Sequence, residues 1–214
     1  IMKDVYLVRA KRSAVGRFGG GLAGFAPAEL ATAVAREVLN ALPDSAVDEV
    51  ILGQVLQAGS GMNVARQVAL ALGLPEAIPA MTVNMVCGSS LKAVALGADS
   101  ILLGRASVVL AGGVEVMSRA PHYQHGLRWG KKLGAVTLAD AILEDGLTDP
   151  GLRIPMGETA ERIADHHGIR REEQDQFALR SQTLVAANQE ALARERVKVG
   201  DCSVDEHPRP ETTM

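Results

Sequence analysis

Up to about residue 115 the chain alternates short apolar runs with longer stretches of helical period. Residues 49–55, 80–84 and 107–114 are short and largely apolar, as strands buried inside a parallel sheet should be. Residues 3–10 read as a further strand near the N-terminus. Between these runs, Ala31, Val34, Ala35, Val38 and Leu42 share one helical face, and Ala65, Val68, Ala69 and Leu72 another. Pro27 suits a first helical position, and Pro43-Asp44 should end that helix. Gly73 and Pro75 close the next. A strand–helix alternation of this kind buries its apolar faces as a layered α/β domain.

The chemistry gathers at Met85-Val86-Cys87-Gly88-Ser89-Ser90-Leu91. A strand leads in, and Leu91, Val94, Ala95, Ala98, Ile101 and Leu102 continue as a helix over residues 91–105. Cys87 therefore stands where a strand turns into the first turn of a helix. Unpaired amide N–H groups and the positive end of the macrodipole favour negative charge there. Gly88 and the serines leave the backbone open to an acyl carbonyl. Such a cysteine reads as a nucleophile. Against this stands the blander reading of a lone cysteine as a small buried hydrophobe.

Composition removes several other classes. The net charge is −3 and aromatic residues make up 3%, so neither a basic footprint nor a stacking surface for nucleic acid is present. No apolar run is long enough to span a bilayer, and no signal segment leads the chain. Neither a nucleic acid nor a membrane is expected as a partner. Two distant cysteines, Cys87 and Cys202, make no disulfide framework, which suits a reducing, cytoplasmic setting. Cys202 reads as incidental. Gly16-Arg17-Phe18-Gly19-Gly20-Gly21 lacks the spacing of a phosphate-binding loop and reads as structural.

From residue 118 onward the character changes. Residues 119–134 are basic and irregular, a polar excursion or an assembly surface, and His122 and His125 lack the companions of a metal site. Residues 137–144 read as a short helix. Met156 opens another helix that Gly168 ends, and 171–195 reads as the longest helix, with Phe177, Ser181, Leu184, Val185, Asn188, Ala191 and Leu192 inward.

Asn84-Met85-Val86-Cys87-Gly88-Ser89-Ser90-Leu91-Lys92-Ala93 resembles the nucleophile segment of the thiolases. Ala111-Gly112-Gly113-Val114-Glu115-Val116-Met117-Ser118 and Ala120-Pro121-His122-Tyr123 are similar to the same family's next segments. So are Glu144-Asp145-Gly146-Leu147-Thr148-Asp149, Met156-Gly157-Glu158-Thr159-Ala160-Glu161 and Glu172-Glu173-Gln174-Asp175, all in family order. The resemblance implies an α/β thiolase fold, layered αβαβα. Residues 1–117 would be the N-terminal core half and 118–214 an incomplete, mostly helical, inserted domain that holds coenzyme A. The C-terminal core half would be absent, and with it a Gly-His-Pro histidine and a second, acid/base cysteine.

By position, the resemblance makes Cys87 the acyl-accepting nucleophile, with its own N–H as one oxyanion donor. Leu147 and Met156 would line the acyl-CoA pocket, with Met117 nearby. Coenzyme A enters as substrate, with no cofactor and no metal. The implied activity is acyl transfer to and from CoA, by thiolytic cleavage of a 3-ketoacyl-CoA or condensation of two acetyl-CoA, within fatty acid metabolism. A homodimer or homotetramer is implied. Ser90 stands where many members have Gly, and Ile154-Pro155-Met156-Gly157 looks more like degradative 3-ketoacyl-CoA thiolases. Two rivals remain: a carrier-protein-dependent ketosynthase, and an inactive thiolase-like binding or assembly protein or fragment.

Overall fold

The computed structural model describes residues 4–40, 42 and 46–214. In chain order these form β1 (Arg12–Ser13), α1 (Pro27–Leu39), β2 (Glu49–Gly53), α2 (Val64–Ala71), β3 (Ala80–Val83), α3 (Ser89–Leu102) and β4 (Val109–Gly113). There follow β5 (His122–Tyr123), β6 (Ala139–Asp140), α4 (Met156–His167), α5 (Arg171–Ala187), α6 (Gln189–Glu195) and β7 (Arg196–Val197).

The three central runs of the sequence make one parallel sheet in the order β3-β2-β4, with Val50 opposite Ala80 on one side and Leu110 on the other. Because strand side chains alternate, Val50 and Leu52 enter one core with Val64, Ala65, Val68 and Ala69 of α2, Ala35 of α1 and Leu110 of β4. Val50 and Ile51 are both fully buried. Helix α3 covers the opposite face, where Gly97 lets it lie against Val109 and Ala111. The result is an α/β/α layering, as the alternation of the sequence requires.

A second core brings residues 14–30 against Val116 and residues 199–202. Strand β1 pairs in parallel with β7, Arg12 opposite Arg196. Ala14, Leu22, Leu30, Val116, Val199 and Cys202 pack beneath this pairing. Cys202 is thus a buried core residue rather than an incidental one, and burial pushes its thiol up. Both guanidinium NH groups of Arg12 donate to the Asp205 carboxylate, at 2.6 and 3.0 Å, and Arg196 donates to it at 3.0 Å. The glycine-rich loop wraps a carboxylate of the chain itself. The N–H groups of Arg17 and Gly21 donate to Glu206 at 2.7 and 3.1 Å. A Cβ at Gly20 would overlap the end of that carboxylate, which would have to shift.

Several expectations need correction. Residues 4–10 form no strand: they pair with no described strand, Tyr6, Leu7 and Val8 are largely exposed, and residues 5–9 line a groove of about 340 Å³ together with β4. Lys3, like Pro43-Asp44, lies outside the described residues. Of residues 137–144, expected as a short helix, only 141–144 are helical. Strand β6 pairs antiparallel with β5, and a π-helical turn, Ile142–Leu147, follows. The Asp140 carboxylate accepts the Ile142 N–H at 2.9 Å, a local bond that competes with helix. The long helix breaks at Asn188, whose side-chain amide donates to the Leu184 carbonyl at 2.7 Å. Its inward face is not buried: Phe177 is 69% exposed, and α5 has no buried residue.

Candidate active site

Three strands deliver their carboxyl ends to one place, where ligands collect in open α/β sheets. Strand β3 ends at Val83, and the chain turns through Asn84, Met85, Val86, Cys87 and Gly88 before α3 begins at Ser89. The turn is heavily bonded. The Ser89 hydroxyl donates to the Val86 carbonyl at 2.5 Å and accepts the Met85 N–H at 2.8 Å. The Ser89 N–H reaches the same Val86 carbonyl at 3.0 Å, and Gly88 N–H reaches the Met85 carbonyl at 3.1 Å. Val86 is held at φ +48°, a left-handed conformation that a β-branched residue rarely adopts. The outcome is an exposed Cys87 side chain at the head of the helix, next to a Ser89 that is 4% exposed. Within this chain the cysteine is exposed rather than buried.

Two glycines decide where that helix head sits. A Cβ on Gly53, the last residue of β2, would overlap the backbone of Ser89 and Ser90. A Cβ on Gly113, the last residue of β4, would stand 2.6 Å from the Ser90 Cβ. The N-terminus of α3 therefore rests directly on two strand ends, closer than any side chain permits. Sequence reasoning marked the glycine pair ending β4 but not Gly53. The available signal was a glycine closing each of two neighbouring buried strands. Ser90 fits because its Cβ fills the space that Gly113 leaves empty.

Beside Cys87 opens a cavity of about 350 Å³. Val55, Leu56, Val114, Met117, Ile142 and Leu147 give it an apolar wall, and Gln54, Ser89, Ser90 and Glu115 supply polar groups. Of the residues singled out from sequence, Cys87, Met117 and Leu147 line this one cavity. Met156 does not. It heads α4, half-buried, after the bridge between Thr148 and Pro155. Ile142, Gly146 and Leu147 arrive on the π-helical turn, which is anchored from outside: Tyr123 donates to Asp145 at 3.0 Å, and Arg153 to Glu144 at 3.0 Å. The Arg153 hydrogen bond holds the Glu144 carboxyl below its ordinary range. Gln54 is 1% exposed and spends its amide N–H groups on the Leu56 carbonyl and Ser60 hydroxyl. His122 lies 3.8 Å from Asp140, away from the cavity lining.

A family model described as the N-terminal domain of thiolase matches residues 5–214. The chain belongs to the thiolase family. An acetyl-CoA acetyltransferase of Pseudomonas aeruginosa is 47% identical over 100% of this chain and 58% of its own length. The crystal structure of the Bacillus anthracis acetyl-CoA acetyltransferase superposes with a TM-score of 0.92 at 39% identity, covering 99% of this chain and 57% of that one. A thiolase from Ascaris suum, solved in complex with coenzyme A, superposes with a TM-score of 0.87 at 37% identity, covering 92% and 52%. This thiolase chain therefore spans about half the length of the relatives it matches. Its fold is that of the N-terminal half of a thiolase, and the cysteine turn and the α/β/α layers are parts of that fold.

Proposed function

We propose that in the whole protein Cys87 is the acyl-accepting nucleophile of a CoA-dependent acyltransferase. The observation that carries this reading is an exposed cysteine at a helix head, opening onto an apolar cavity shared with Met117 and Leu147. The names of the acetyl-CoA acetyltransferase relatives and the CoA-bound Ascaris thiolase support the same substrate class. In the degradative direction the Cys87 sulfur attacks the 3-keto carbon of a 3-ketoacyl-CoA. The bond between C2 and C3 then breaks, its electron pair stays on C2, and protonation there releases acetyl-CoA. The thiol of a second CoA attacks the remaining thioester, expelling Cys87 and taking away the shortened acyl group. Run backward, the sequence condenses two acetyl-CoA. Negative charge on the carbonyl oxygen needs oriented donors, each contributing about 2.7–4 kcal/mol in measured oxyanion holes. The backbone N–H of Cys87, in the turn just before α3, is one such donor.

The proton transfers belong to groups outside residues 1–214: the Gly-His-Pro histidine and second cysteine that the family resemblance implies, in a C-terminal core half. Residues 118–214 then serve as part of the CoA-holding insertion, with CoA as a substrate rather than a cofactor. Met156 contributes to that pocket once acyl-CoA is bound. The whole protein is a cytoplasmic homo-oligomer with the 119–134 excursion as a candidate contact.

Radioactive acetyl-CoA should label the whole protein on Cys87, and Cys87→Ala should abolish the label. Label retained at another residue overturns the assignment. The 214-residue chain by itself should show no thiolytic turnover, and robust CoA-dependent cleavage of acetoacetyl-CoA by it would overturn the placement of the acid/base groups.

A further inference from the structure

The strained turn before Cys87 is tied to the far strand of the sheet through one continuous line of hydrogen bonds. The Asn84 side-chain oxygen accepts the Val86 N–H at 2.9 Å. Its amide nitrogen donates to the Val55 carbonyl at 3.3 Å. The N–H groups of Val55 and Leu56 both donate to one oxygen of Glu115, at 2.8 and 3.3 Å. Glu115 follows the end of β4, Val55 the end of β2, and Asn84 the end of β3, so the line stitches all three strand ends beneath the cysteine. Glu115 makes no ion pair among the described residues. Its carboxylate serves as a backbone clamp, although it also lines the cavity.

The energetics say why such a clamp is present. A non-glycine residue at positive φ costs on the order of 1–3 kcal/mol and persists only where its surroundings over-determine it. Val86 at φ +48° is over-determined from both sides of its peptide units. Ser89 holds its carbonyl with two donors, and Asn84 holds its N–H. Ser89 is local to the helix, whereas Asn84 refers the turn to the sheet. Released from Asn84, Val86 can relax toward negative φ, and Cys87 moves away from the helix head and cavity.

We propose that Asn84 and Glu115 are positioning residues that hold the Cys87 turn in its reactive conformation, acting through the Val55 peptide. This rests on the reading of Cys87 as nucleophile. The test uses the whole protein and the variants Asn84→Ala, Asn84→Asp, Glu115→Ala and Glu115→Gln. For each, acyl-transfer kcat and KM, the rate of Cys87 modification by iodoacetamide (resolved by peptide mass) and the thermal midpoint are measured. Asn84→Ala and Glu115→Ala should lower kcat about tenfold, a loss of stabilisation made only at the reacting centre, with KM nearly unchanged. Asn84→Asp keeps the acceptor for Val86 N–H but places an oxygen against the Val55 carbonyl, and should behave like Asn84→Ala. Glu115→Gln retains an acceptor for the Val55 and Leu56 N–H groups and should restore most of the rate.

Wild-type kcat and alkylation rate in Asn84→Ala, or in Asn84→Asp should the first not fold, overturn the proposal. So does failure of both to fold, which would make Asn84 a general stability residue, and so does Glu115→Gln being no better than Glu115→Ala. If wild-type protein is never acetylated at Cys87, the nucleophile reading falls, while the alkylation rates still judge the clamp.

Discussion

Adjacent glycines in this chain have opposite duties, and the difference lies in which face of a strand each occupies. Gly113 ends β4 on the side of α3, where a Cβ would meet Ser90, and Gly53 does the same from β2. Gly112, one residue earlier, points to the other face, and a Cβ there would lie 3.8 Å from Leu52, an ordinary contact. Gly53→Ala should therefore destabilise the protein by about 1–3 kcal/mol through overpacking. Gly112→Ala should be close to neutral, because it fills space without displacing backbone. Thermal unfolding of the two variants decides this, and equal losses would show that the strand ends do not set the helix position. The same logic separates Val86 from Asn63. Both are non-glycine residues at positive φ, but Asn63 caps α2 with its own side chain, accepting Arg66 N–H at 3.2 Å, whereas Val86 depends on its neighbours.

Among the elements, those whose apolar period is matched by a packing partner were legible from sequence, and those fixed by polar side chains were not. Helix α3 begins and ends within three residues of its expected bounds because the residues it buries, Ser89, Ala93 and Gly97, recur at helical spacing. Helix α5 carried an apolar face of similar quality, yet Asn188 stops it and no described element covers it. The boundary at Asp140 and the π-helical turn depend on a few carboxylates, Asp140, Glu144 and Asp145, which leave no periodic trace. Of the site, Cys87 was singled out from its place in the sequence and Met117 and Leu147 through the family resemblance; Gln54, held by local bonds to Leu56 and Ser60, and Asn84 and Glu115, joined through one line across strand ends, leave no periodic trace.

The pairing of β1 with β7 is another polar device with a measurable signature. Hydrogen bonds from Arg12 hold the Asp205 carboxyl well below its ordinary value of 3.8, with Val15 N–H and Arg196 adding to the effect. A depressed carboxyl contributes stability that is complete above its unfolded value and is lost as pH falls through the folded one. The β1–β7 clip should therefore be intact at neutral pH and weaken only below about pH 4, the unfolded carboxylate range. Asp205→Asn should lower the thermal midpoint at neutral pH and flatten its fall on acidification. The Arg196 side chain is only 7% exposed, so Asp205→Ala strands a buried cation and should cost on the order of 3 kcal/mol. A midpoint insensitive to both substitutions would show the clip to be idle.

For the molecule as a whole, the layering followed from the alternation of strands and helices, but the joining of its ends did not, because no local pattern predicts that residue 12 meets residue 205. Those partners are 193 residues apart along the chain. The parallel sheet and α1 to α3 are all encoded before residue 114 and can assemble among themselves. The stretch around Arg12 and the glycine loop cannot, since Asp205, Glu206 and β7 are still unmade. At synthesis rates of about 5–20 residues per second, that wait is on the order of 10–40 s. Residues 12–21 are thus fixed only after residues 196–206 have emerged. Nascent chains stalled near residue 195 should be cut by protease between residues 10 and 22, and chains released past residue 206 should resist it; equal susceptibility would contradict the order. During that interval the Met117 side of the cavity lacks its backing from the loop, whose Gly19 N–H bonds the Ser118 hydroxyl at 2.9 Å. A glycine loop wrapped around the Glu206 carboxylate thus makes the ordering of residues 17–21 wait on a segment 185–189 residues further along the chain.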